Sequence, residues 1–184
     1  CLMKKLTLLA ISAVVLASTS AVASDFTGFG VGVGVGTTKY EDAKRISNVD
    51  LIADYGFNHG QNVVGIVEGK FKPHNSTLVD NADTKVQQKG RLGVGYLLGY
   101  RATPSVLPYA KVTAEIVKFD ATDHYDGLVI KTTETKAGYG LGAGVKANLA
   151  PNFELGLEYL RTSHKFDGEN VKGNTFSTNA SYRF

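Results

Sequence analysis

The chain has 184 residues, and its 20 Lys and Arg against 17 Asp and Glu give a formal net charge of +3. That length suits one domain, and so small a basic excess gives no argument for nucleic acid as a partner. With 43% hydrophobic residues it is no disordered polymer, and its single cysteine, Cys1, excludes an internal disulfide framework and a Cys-based zinc site.

The chain opens as an address. Met3-Lys4-Lys5 is followed by the apolar run LTLLAISAVVLA and then by Ala21-Val22-Ala23, a small-residue cleavage site. The apolar run is shorter than the about 20 residues a spanning helix needs. Residues 1–23 are therefore expected to be a cleaved export signal, with Met3 as the expected start and a retained anchor as the alternative. Residues 24–184 are the expected mature domain, nearly neutral and free of cysteine.

From residue 26 the hydrophobic pattern has period two, the mark of strands with two unlike faces. It predicts eight strands, at 26–39, 45–57, 62–71, 86–101, 107–119, 133–147, 153–164 and 175–184. The connections alternate. NHGQ, TPSV and NLAPN are short, whereas stretches such as KPHNSTLVDNADTK and KFDGENVKGN are long and polar. Tight turns at one end and loops at the other predict an all-β, eight-stranded antiparallel up-and-down barrel.

Alternation alone does not say which face meets the core. Three features favour a barrel turned greasy side out. The faces carrying Val31, Val33, Val35, Leu92, Val94, Leu141 and Leu157 hold no charge in their central stretch, as lipid exposure demands. Aromatics on that face cluster near the strand ends: Phe29, Tyr55, Phe57, Tyr100, Phe153, Tyr182 and Phe184 toward the short turns, and Phe71, Tyr139, Tyr159 and Phe176 toward the loops. On the other face six acids (Asp50, Asp54, Glu68, Glu115, Glu154, Glu158) balance six bases (Lys70, Arg91, Arg101, Lys111, Lys146, Arg183), as a lumen charge network requires. Val64, Ile66 and Leu97 break the pattern by pointing inward, and Tyr40 and Phe119 are out of phase.

The chain ends in Tyr182-Arg183-Phe184, with Phe176, Thr178 and Ala180 in the same phase. With GVKANLAPNFELGLEYL, this makes the mature chain resemble the small bacterial outer-membrane barrels of the OmpA/OmpX type, also called opacity-like. The resemblance implies that Phe176, Tyr182 and Phe184 form the signal read by the barrel assembly machinery. It also implies outer-membrane lipid and lipopolysaccharide as surroundings, both termini in the periplasm, four loops outside the cell, and a monomer with no cofactor. Fold alone does not assign an activity.

Several motifs have a plainer reading beside the chemical one. GFGVGVGVG and GYGLGAGVK look like phosphate loops, but no helix follows and the glycines recur every second residue. Inward glycines that make room for long charged side chains explain them better. Asp120, Asp123, Asp126 and Gly127 hint at calcium with the wrong spacing for an EF-hand, and a solvated acidic loop is the simpler account. His74, His124 and His164 fall near the loop end, where lipid A-modifying barrels hold catalytic groups. Ser163 and His164 are strand neighbours, though, and must point to opposite faces. Asn75-Ser76-Thr77 matches a glycosylation acceptor pattern that a bacterial setting makes irrelevant. Lys39, Arg45, Lys118 and Arg161 share the outward phase at the loop end and are candidates for lipopolysaccharide phosphates; solvated rim bases are the alternative.

The expected role is structural or surface-interactive, without catalysis: envelope integrity, or adhesion to host or environmental ligands through the loops. A narrow solute channel, a lipid A-modifying enzyme and a soluble lipocalin-like carrier are the rivals.

Overall fold

The computed structural model describes residues 26–40, 45–73, 76–80, 84–125, 128–166 and 169–184. The expected export signal lies outside them, as do His74, Asn75, Asp126 and Gly127. The strands are β1 (Gly28–Tyr40), β2 (Ile46–Asn58), β3 (Val63–Lys72), β4 (Ser76–Asp80), β5 (Thr84–Tyr100), β6 (Val106–Tyr125), β7 (Leu128–Ala150), β8 (Phe153–Phe166) and β9 (Glu169–Arg183). They run in the order β3-β2-β1-β9-β8-β7-β6-β5-β4, and β3 also pairs with β5. Eight strands thus close on themselves, and β4 is a short extra strand laid on the loop end of β5.

The register fixes the barrel's shape. One circuit of paired residues runs Gly30, Asp54, Glu68, Gly95, Thr113, Gly140, Thr162, Gly173 and back to β1 at Tyr40. It returns ten residues beyond its start, a shear of ten for eight strands. With ordinary strand spacings this sets a tilt of about 40° and a barrel radius of about 8 Å. Closure leaves no sheet edge within the wall, so the backbone groups of all eight strands can be satisfied without water.

The alternation resolves as the sequence predicts. Val33 is 52% and Leu141 61% exposed on the outer wall, while Glu158 and Arg91 face inward at 2% and 7%. A soluble carrier of the lipocalin kind would show the reverse. The inward exceptions have a use: Val64, Ile66 and Leu97 join Phe26, Leu107 and Tyr109 in an apolar cluster that floors the barrel near the short turns. Phe26 reaches it through a left-handed backbone (φ 56°).

The strands are longer than predicted at the loop end. β6 and β7 stay paired out to Tyr125 and Leu128, so Asp120 and Asp123 lie on β6 and not in a loop. The sequence hides this extension because its alternation is lost there: Leu128, Val129 and Ile130 follow one another without a polar residue between them. At the other end β7 runs on to Ala150, and Pro151-Asn152 makes the turn, with Asn152 left-handed at φ 67°, a conformation asparagine tolerates.

Glycines let large inward groups approach. A Cβ on Gly144 would stand 2.5 Å from the Tyr109 hydroxyl, and one on Gly95 2.9 Å from Lys111 Cε. At Gly32 and Gly36 the close neighbours are instead the small Ser181 and Ser177 of β9. Gly144→Leu should therefore overpack the lumen at a cost of about 1–3 kcal/mol, read as a lower urea midpoint for loss of the fast-migrating folded band in unboiled gels. Gly69→Ala, whose Cβ meets nothing closer than 3.8 Å, should leave that midpoint unchanged.

Candidate functional site

The inward phase of the strands stacks ionised side chains into three clusters along the lumen. Nearest the short turns, Lys146 Nζ lies 3.1 Å from Asp54 Oδ2 and 3.6 Å from Glu154. Arg183 forks onto Glu154, with Nη2 donating to Oε2 at 3.0 Å. It also reaches Asp54 Oδ1 at 2.8 Å and donates from Nη1 to the Gly28 carbonyl at 2.8 Å.

In the middle, Lys111 Nζ donates to Glu68 at 2.5 Å and to Glu158 Oε2 at 3.0 Å. Lys70 donates to Glu158 Oε1 at 2.7 Å, and the Tyr109 hydroxyl to Glu158 Oε2 at 2.9 Å. Toward the loops, Arg91 lies 3.2 Å from Asp50 and 3.8 Å from Glu115, whose other neighbour is His164 Nε2 at 3.6 Å. Lys72 donates to Asn48 at 2.7 Å, and Asn48 to Thr38 at 2.5 Å.

Each cluster is close to neutral in itself, as burial requires. The space left among Asp50, Glu68, Lys70, Arg91, Lys111 and Glu158 is about 10 Å³, room for roughly one water. The lumen is filled by side chains.

Eleven of the twelve charged residues predicted inward lie in these clusters. Arg101 does not. It follows the last residue of β5 and is half-exposed, donating to the Gln61 carbonyl at 3.1 Å and to Asn58 Oδ1 at 2.5 Å, so it braces the β2–β3 turn. Its position past the strand end, where alternation stops, explains the difference. Sequence reasoning missed Asn48, Lys72, Tyr109 and His164 as lumen partners. All four continue the phase of the charged residues on their own strands, which was the available signal. Tyr40, out of phase by sequence, points inward, its ring 6.5 Å from that of His164.

His164 is fully buried, and neither ring nitrogen has a hydrogen-bond partner among the described residues. Ser163 is half-exposed on the opposite face, so the two do not form a nucleophile and base. The side chain of His124, on β6, is outside the described set. No group of three or more His, Cys, Asp or Glu that could hold a metal occurs among the described residues.

The outer wall differs in its charge. Among the described side chains every acid is buried, whereas Lys39, Arg45, Lys118 and Arg161 are exposed and Lys172 half-exposed. At the tilt given above, each residue climbs roughly 2.5 Å along the barrel axis and each step to the next strand roughly 3 Å. On that scale Lys39, Arg45, Lys118 and Lys172 share one level, just above a belt formed by Phe71, Tyr139, Tyr159 and Phe176. Arg161 sits within the belt. At the short-turn end Phe176's strand finishes in exposed Tyr182 and Phe184, their rings 5.0 Å apart, with Phe184 6.0 Å from Phe29.

The middle cluster makes a sharp expectation. Glu158→Gln leaves Lys70 without its nearest acid and should destabilise the barrel by about 3–5 kcal/mol, seen in urea titration in detergent micelles. Adding Lys70→Gln should restore part of that loss; a double variant weaker than the unsubstituted protein by the full sum of the two single effects would show that the two residues are not coupled.

Comparison with known proteins agrees with this geometry. The outer membrane protein β-barrel domain family matches residues 6–184. The chain is similar to the solved structure of Ail, the attachment invasion locus protein of Yersinia pestis, at 21% identity and a TM-score of 0.59, covering 85% of this chain and 96% of that one. It is also similar to neisserial surface protein A, NspA, at 16% identity and a TM-score of 0.57, covering 86% and 98%. A third is the outer membrane enzyme PagL, at 12% identity and a TM-score of 0.50, covering 84% and 99%. Comparison with curated proteins gave no match. The structures share the fold, and the family match spans almost the whole chain: this protein belongs to the outer membrane protein β-barrel domain family of the bacterial outer membrane.

Proposed function

We propose that the protein acts as a rigid, plugged barrel that strengthens the envelope and presents its loops for surface interaction, with no catalytic role. The observation that carries this reading is the filled lumen, whose central space holds about one water. A cylinder so filled offers no path for solutes and serves as a stiff mount for whatever its loops recognise. Host or environmental ligands are the proposed partners of those loops. Ail, of the same fold, has been solved with the heparin analogue sucrose octasulfate.

In this reading residues 1–23 are removed on export and both termini lie in the periplasm, on the side of the short turns. The barrel is a monomer without a cofactor. Phe176, Tyr182 and Phe184, lined up on the outer wall of the last strand, are what the assembly machinery reads. Lys39, Arg45, Lys118 and Arg161 meet lipopolysaccharide phosphates, for which charge-assisted hydrogen bonds are well suited.

The test is electrical. The purified barrel in a planar bilayer should give no stepwise conductance, and discrete openings would sink the plugged reading in favour of a channel. The likeness to PagL motivates a second measurement. Lipid A from cells with and without the protein should have the same mass spectrum; a change in acylation that follows expression would establish enzymatic activity.

A further inference from the structure

The outward cations are not equivalent, and we propose that Arg161, Lys172 and Lys39 form one binding subsite for a phosphate group of a membrane glycolipid. The inference rests on the reading that the basic ring meets lipopolysaccharide, and it says where. Two rows of paired residues lie side by side on the outer wall. One runs Leu141, Arg161, Asn174, Lys39 across β7, β8, β9 and β1. The other runs Tyr139, Ser163, Lys172 across β7, β8 and β9. Arg161 and Lys172 are diagonal neighbours across one strand pair, about 7 Å apart at the backbone. Lys39 stands beyond Asn174, two strand spacings or about 10 Å from Arg161.

Beside Arg161 and Lys172, on the side away from Lys39, the wall is indented. A depression of about 210 Å³ is lined by Tyr139, Leu141, Arg161, Ser163, Asn170 and Lys172. Its chemistry is divided. Tyr139 and Leu141 are apolar and exposed on the bilayer side, whereas Arg161, Lys172, Asn170 and Ser163 supply charge and hydrogen-bond donors. Asn174, exposed between Arg161 and Lys39, accepts from the Tyr159 hydroxyl at its Oδ1 at 2.9 Å. No acid among the described side chains lies on the outer wall to neutralise the three bases.

A ligand that fits must be anionic at one end and hydrocarbon at the other, with its charge at the level of the upper aromatic belt. A phosphorylated glycolipid of the outer leaflet has that form. Its phosphate would accept from the Arg161 guanidinium and the Lys172 ammonium while an acyl chain lies along Leu141. Arg45, just before β2, and Lys118, on β6, share the level but do not line the depression.

The experiment compares two sets of substitutions in the full-length barrel in detergent micelles, each first shown to keep the folded gel mobility. Lipopolysaccharide binding is measured by titration, with phosphatidylglycerol vesicles as the second probe. Lys39→Gln/Arg161→Gln/Lys172→Gln should weaken lipopolysaccharide binding about tenfold or more, roughly the loss of one charge-assisted hydrogen bond. Arg45→Gln/Lys118→Gln should leave it within about twofold. Equal losses from the two sets would overturn the subsite while leaving a diffuse basic ring. Equal affinity of the unsubstituted protein for phosphatidylglycerol would overturn the assignment to a glycolipid, and no lipopolysaccharide binding at all would overturn the reading it rests on.

Discussion

A cylinder of eight strands and shear ten has a bore of fixed width, and the rest of the structure follows from having to fill it. At a radius of about 8 Å the backbone leaves space for side chains and little else. In a soluble globule that space would go to hydrocarbon. Here the outer wall must face lipid, so the apolar half of each strand's alternation goes outward and the polar half is confined within. Confinement is tolerable only because opposite charges meet at hydrogen-bond distance, as Lys111 does with Glu68 and Glu158.

Large and small residues share the bore unevenly. Gly144 lies opposite Tyr109, whose hydroxyl would collide with a Cβ placed there, and Gly95 lies beside the end of the Lys111 side chain. The lower end is sealed differently, with Phe26, Val64, Ile66, Leu97 and Leu107 forming a dry floor beneath the ionised clusters. The barrel therefore has a greasy base and a polar shaft, and above the membrane its ladders run on into water as hairpins.

Much of this was legible in the sequence because period two reports on two environments at once. Val33 against Gly34 and Leu157 against Glu158 predict both the strand and the direction of each side chain. The partners within the lumen were not legible, since pairing across the bore depends on shear, which no single strand encodes. Arg101 shows where the pattern fails: one residue past β5 its phase no longer has meaning, and it serves a turn. The strand extensions to Tyr125 and from Leu128 were hidden for a related reason, because alternation is lost there and Leu128, Val129 and Ile130 place apolar residues on both faces. The outer basic patch was read in part. Lys172 shares the outward phase but lies beyond the predicted start of the last strand, so the convergence of three bases appears only when β9 is laid between β8 and β1.

Arg183 gives the design a kinetic corollary. This residue, the last of β9, touches Asp54 of β2, Glu154 of β8 and the Gly28 carbonyl of β1. The strand between β8 and β1 thus carries the residue that ties both sides of the seam and neutralises two carboxylates there. A half-zipped sheet would carry excess negative charge beside Lys146, and docking of the terminal strand would relieve it, so seam closure and charge balance are completed in a single event.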